Sequence, residues 1–213
     1  MSNFYRFQDS GLDDWDVANN YMQMGFRPGF AIQARELTQM QTILQSQITA
    51  LARRSLISGS VVDAPLSFNP AGVGGIYNGS LGQGYIYIEP TEKSLGYFVH
   101  NNSTINISTI QVDSTERTWA YLIYEEIQIN PDGSPFPAGG GFSEVRVDTL
   151  LKDNAQGYSN YSAPGATRYQ INIITGGYYT ENSGSTLPTN AVKIAYFNPS
   201  TNNWHYPDTD LVI

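Results

Sequence analysis

The side chains able to do chemistry are few and far apart. There are two histidines, His100 and His205. Zinc sites of the HExxH kind set their histidines four residues apart on one helix face. These two stand beside aromatics in separate strand-like or terminal segments, and they read as surface or half-buried side chains without chemistry. Four aspartates (Asp9, Asp13, Asp14 and Asp16) crowd the N-terminus. A calcium loop needs alternate carboxylates and a central glycine, which this spacing lacks; capping of a helix N-terminus suits them better. Glu125 and Glu126 are adjacent in a strand pattern, so their carboxyls face opposite ways and cannot serve as acid and base on one substrate. A glycosidase needs two carboxyls in one cleft, and nothing in the sequence brings Glu89 or Glu144 to complete such a pair. The clusters Gly72-Val73-Gly74-Gly75 and Gly139-Gly140-Gly141 lack the lysine and the strand-to-helix context of a phosphate loop; they read as flexible loops. The expectation is a protein that is not an enzyme and has no catalytic, cofactor or metal site.

Composition supports that expectation. Charged residues are only 14% of the 213, against roughly 25% in a typical globular chain. The polar surface is therefore built from Asn, Gln, Ser, Thr and Gly, which cost less to desolvate against another protein. A formal net charge of −8 argues against nucleic acid, which calls for a basic patch. With no cysteine, disulfides, thiolate nucleophiles and Cys-ligated metals are excluded. No apolar run approaches the roughly 18 residues of a membrane span, and no signal-peptide core is present. A soluble product made in a cytoplasm, without membrane insertion, is expected. Tyr85, Tyr87 and Tyr97 could stack on sugars, but such a stripe is more often one face of a sheet.

The elements follow from periodicity. Residues 1–30 read as an irregular arm mixing aromatics with acids, with one short helical turn near Asp13 to Asn20. Exposed alone, its aromatics would be sticky, so they pack on this domain or on a neighbouring chain. Residues 31–58 read as one long amphipathic helix, about 40 Å from end to end at 1.5 Å per residue. Leu37, Met40, Leu44, Ile48 and Leu51 share one face, with Ile43 and Leu56 widening it. Gln47 takes the heptad position between Leu44 and Leu51, with Ile48 in its place, so the heptad register is broken. Residues 59–213 read as a β-rich domain, a single antiparallel sandwich-like fold with long Gly/Pro-rich loops at 69–84 and 130–141. Strands are expected at 60–62, 84–89, 96–100, 105–112, 118–129, 144–151, 168–174, 178–180 and 191–198. The fold class is mainly β (α+β).

The stretch FRPGFAIQARELTQMQTILQSQI, followed by LISGSVVD, resembles the N-terminal signature of a family of structural proteins of tailed bacteriophages, especially cyanophages, found at the baseplate and fibre-attachment region. The matching residues are Phe26, Pro28, Gly29, Gln33, Arg35, Glu36, Leu37, Gln41, Gln45, Gln47, Gly59, Ser60, Val61 and Val62. YSAPGATRYQINI at 161–173 is similar to a second family element that enters a strand. The resemblance covers about 50 residues closely. It implies a non-enzymatic virion protein of the phage tail, made in the host cytoplasm. Its partners would be copies of itself, a trimer by preference, and neighbouring tail, baseplate or fibre proteins. Many family members run on into receptor-binding regions; this shorter chain points instead to a baseplate or adaptor role. The expected assembly interface is Phe26, Arg35, Glu36, Leu37, Met40, Gln41, Leu44, Gln47, Ile48 and Leu51. Glutamine favours the helix and can hydrogen-bond across an interface without the desolvation cost of a charge. The competing reading of the helix packs its apolar face on its own β-domain. The competing functions are a host-receptor or carbohydrate-binding tail-fibre module and, behind it, a polysaccharide depolymerase.

Overall fold

A computed structural model describes residues 13, 17–71, 74–89, 95–130, 144–147 and 168–206. Among them the chain is mainly β, with one α-helix preceding the strands. A 3-10 turn at Val17–Asn19 stands where a short helical turn was expected. The helix α1 is Ala34–Ala52. It is shorter than the 31–58 expected, roughly 28 Å rather than 40 Å. Residues 31–33 remain outside it, and after Ala52 the chain breaks into turns.

The strands are β1 (Val61–Val62), β2 (Leu66–Pro70), β3 (Ile76–Leu81), β4 (Gly84–Ile88), β5 (Tyr97–Asn101), β6 (Ile105–Gln111), β7 (Thr118–Asn130), β8 (Glu144–Val147), β9 (Arg168–Thr180), β10 (Ala191–Asn198) and β11 (Asn203–His205). They form three sheets: β1-β4-β5, β2-β3-β6, and β11-β10-β7-β8 with β9 also on β7. The registered pairings are antiparallel except β7 with β8, which is parallel. Three expectations are corrected. The 69–84 segment is not a loop: it carries the end of β2 and all of β3. The two strands expected at 168–174 and 178–180 are one, β9. The chain also ends its described part in a further strand, β11. Residues 148–151 and 131–141, and the second family element before Arg168, lie outside the described residues.

Contacts divide the chain into two compact units, Met1–Ser46 with Glu125–Asn172, and Gln47–Tyr124 with Ile173–Ile213. In the second unit β7 alternates cleanly: Thr118, Ala120, Leu122 and Tyr124 are buried, while Trp119, Tyr121 and Ile123 are half-exposed. This period of two is what a strand with one covered face requires. Phe68 of β2 stacks on Trp204 of β11 at 3.9 Å, and Tyr77 of β3 meets Phe197 of β10 at 5.6 Å. These rings, with Ile107, Ile110, Leu81, Leu122 and Ile194, make the core that joins the β2-β3-β6 sheet to β10-β11. On the other side of β7, Lys193 lies 4.3 Å over the Trp119 ring and 5.4 Å over Tyr179. That seals the outer face with a cation on aromatic rings.

The link from α1 to β1 turns at Gly59, whose φ is +104°. Its N–H donates to the Tyr87 carbonyl at 2.8 Å. A Cβ there would stand 1.7 Å from the Lys193 carbonyl oxygen. Both the left-handed backbone and the close approach demand glycine. Gly59→Ala is therefore expected to cost at least about 2 kcal/mol in urea denaturation, from strain and overpacking together. Gly25→Ala, where no atom lies within 4 Å of the added carbon, should be nearly neutral.

Candidate assembly surface

Within the opening motif, Arg27-Pro28-Gly29-Phe30 is a β-turn. The Phe30 N–H reaches the Arg27 carbonyl at 3.4 Å, and Gly29 sits at φ +85°. Proline second and a left-handed glycine third is the type II pattern. The chain then enters α1 through one half of a capping box. Gln33 is the N-cap: its carbonyl accepts from Glu36 N–H at 3.1 Å, and its N–H donates to Glu36 Oε2 at 2.8 Å. The role of Glu36 is thus to close the helix start of its own chain. Arg35 is exposed beside it.

Two opposite faces of α1 have different fates. Gln39, Ile43 and Thr49 are buried, with Ser46 half-buried between them. Spaced four, three and three, they form one stripe. In the first unit Thr42 donates to Asp13 Oδ2 at 2.5 Å. In the second unit the Thr49 hydroxyl accepts from Gly96 N–H at 2.9 Å. Just past the helix end, Arg53 forms an ion pair with Glu89, and the Tyr87 hydroxyl donates to the same carboxylate at 3.3 Å. The opposite stripe carries the expected interface and stands open: Leu37 is 45% exposed, Leu44 54%, Ile48 47% and Leu51 72%. Gln41 and Gln47 are exposed as well, and Met40 is half-buried. The alternative reading packs this face on the chain's own domain; its four large side chains are exposed. Ile43, expected to widen the stripe, is buried on the other side.

The arm ahead of α1 is open too. Phe26 is exposed, and so are Tyr21, Met22, Phe30 and Ile32. Met22, Phe30 and Ile32 were not singled out from the sequence. The available signal was large apolar residues in a stretch that Pro28 and Gly29 keep from forming a regular element.

The chemistry-bearing residues do not converge. His100 lies on β5 with its ring 4.8 Å from Tyr85, while His205 on β11 stacks on Tyr196. Glu125 is half-exposed and accepts from the Asn172 side-chain amide, whereas its neighbour Glu126 is buried. Asp9, Asp14 and Asp16 lie outside the described residues. Among the described residues no group of three His, Cys, Asp or Glu could hold a metal ion. None of the helices there is long and apolar enough to cross a membrane. The tyrosine stripe is also split. Tyr85 and Tyr87 pair across to His100 and Phe98, but Tyr97 pairs with Ile88 and so belongs to the other face. No family model, curated protein or solved structure matches the chain.

Burial, then the charge of Glu89 and the hydrogen bond to it, push the Tyr87 hydroxyl up to about 12, while Arg53 works the other way. The fold keeps this phenol neutral, whereas in the unfolded chain it ionises near its ordinary value of 10.0. The stability it contributes is thus complete below pH 10 and is lost as pH rises through the window from 10 to about 12. Denaturant titrations followed by circular dichroism at pH 9 and pH 11 should show wild type losing more stability than Tyr87→Phe over that interval.

Proposed function

We propose that this chain is a non-enzymatic structural protein of a bacteriophage tail. It serves as a baseplate component or fibre-attachment adaptor that assembles through its N-terminal arm and α1. The observation that carries the reading is the open apolar stripe Leu37, Leu44, Ile48 and Leu51; Tyr21, Met22, Phe26, Phe30 and Ile32 of the arm before it are exposed as well. Nine large apolar side chains between residues 21 and 51 are thus open to water, and exposed apolar surface of that kind marks an interaction site. The segment from Phe26 to Ile48 is also the part that resembles the phage structural family, so the resemblance and the exposed surface share a stretch of chain, with Phe26 and Leu37 in both. Copies of the chain, three by preference of the resemblance, and adjacent tail proteins are the partners.

A tail-fibre module that binds carbohydrate is the second reading. Tyr85 and Phe98 favour it, both being exposed on one face of the β1-β4-β5 sheet with His100 beside them. Aromatic rings open to water suit the apolar faces of sugars. Glycan binding abolished by Tyr85→Ala with Phe98→Ala would establish it.

The assembly reading is tested by mass. Light scattering after size exclusion should show an oligomer that Leu44→Asp with Leu51→Asp reduces to a monomer, the β-sheet dichroism staying intact. Imaging of virions should place a tagged copy in the tail. An unchanged mass in the double variant removes the helix from the interface, and absence from purified particles removes the function. Product release from a cell-surface polysaccharide, abolished by Glu125→Gln, would overturn the non-enzymatic part.

A further inference from the structure

We infer that α1 pairs in parallel and in register with α1 of a second copy of this chain, a proposal that rests on the assembly reading and specifies its geometry. The exposed side chains set the register. With Leu37, Leu44 and Leu51 at the d positions of a heptad, the a positions are Ala34, Gln41 and Ile48, and every one of these six residues is exposed. The break that Gln47 makes in the heptad as read from the sequence disappears, because Gln47 falls at a flanking g position with Met40, and Gln45 at e. Leucine at every d position, with Ile48 at one of the a positions, fits helices that meet knobs into holes. The seam lies about half a turn from the stripe buried in the chain itself, so each helix can keep its own contacts while meeting another.

The charge of the helix favours a second copy over an unrelated protein. From Leu37 to Ala52 the helix carries no charged residue, so two chains of formal net charge −8 meet here without repulsion between seam side chains. The flanking e and g positions therefore select no oppositely charged partner. The helix is also already formed and held, by Thr42 to Asp13 at one level and Thr49 to Gly96 at another, so pairing pays little ordering entropy.

Gln41 decides the direction. It is the polar a residue in an otherwise apolar seam. In a parallel, in-register pair, a faces a, so Gln41 lies beside Gln41 of the second copy. Each amide then offers both a donor and an acceptor to the other. An antiparallel pair sets a against d, which places the Gln41 amide against a leucine and leaves it unsatisfied.

The absence of cysteine makes the test direct. Leu37→Cys and Ile48→Cys are exposed substitutions that leave the fold intact, which circular dichroism verifies. Each is oxidised alone, and then the two are oxidised together with one carrying a size tag. Parallel pairing predicts a disulfide-linked dimer from each variant alone and no tagged-to-untagged 37–48 product. An in-register offset of eleven residues is about 16 Å, beyond the roughly 7 Å that a disulfide spans. Cross-links that appear only in the mixture overturn the register while leaving helix-mediated assembly standing. No cross-link in any arm overturns self-pairing and assigns the seam to a different protein, and the mass measurement above then judges assembly independently. As a further check, Gln41→Leu should reduce the preference for homotypic 37–37 links over 37–48 links at least severalfold.

Discussion

The buried contact between Thr49 and Gly96 sets how the end of α1 lies against its sheet. A threonine hydroxyl that accepts from one backbone N–H, away from water, fixes both the height and the rotation of the helix end. It works only because residue 96 is glycine: a Cβ there would stand 2.0 Å from the Tyr87 hydroxyl oxygen. Tyr87 in turn joins Glu89, whose other partner is Arg53 at the end of the same helix. Helix, loop and sheet edge are tied by polar groups rather than by the leucines, which frees the leucines for something else.

That choice explains what could be read from the sequence and what could not. The period of 3.6 correctly located the stripe Leu37, Leu44, Ile48 and Leu51, and period two located β4, β7 and β10. Which helix face would turn inward was not legible. Hydrophobicity alone points the leucines inward, whereas the buried stripe is Gln39, Ile43 and Thr49, whose polar members are credible inside only once their partners are known. The heptad was hidden for a related reason, since a glutamine at an a position looks like an interruption until exposure shows which residues share the seam.

Two of the strands misread in the sequence, β3 and β9, have a common physical origin. Glycines were read as loop, yet a strand glycine is also where another group can lie directly on the backbone. A Cβ at Gly79 of β3 would be 2.7 Å from the Phe68 ring, one at Gly176 of β9 would be 2.4 Å from Ile107, and one at Gly177 would be 2.6 Å from the Tyr121 hydroxyl. Aromatic and branched side chains from neighbouring strands fill the space that these residues leave. Propensity scored each glycine by its own missing side chain and could not see the one lying over it.

The uncharged run from Leu37 to Ala52 has a consequence for the conditions under which any contact there holds. Ionic strength has nothing on this face to screen; added salt instead shortens the reach of the charges elsewhere on the two chains, about 8 Å at physiological strength. Temperature acts the other way round from an ion pair, because burial of apolar surface weakens on cooling. A contact built on this helix would therefore tolerate large swings in salinity and loosen in the cold.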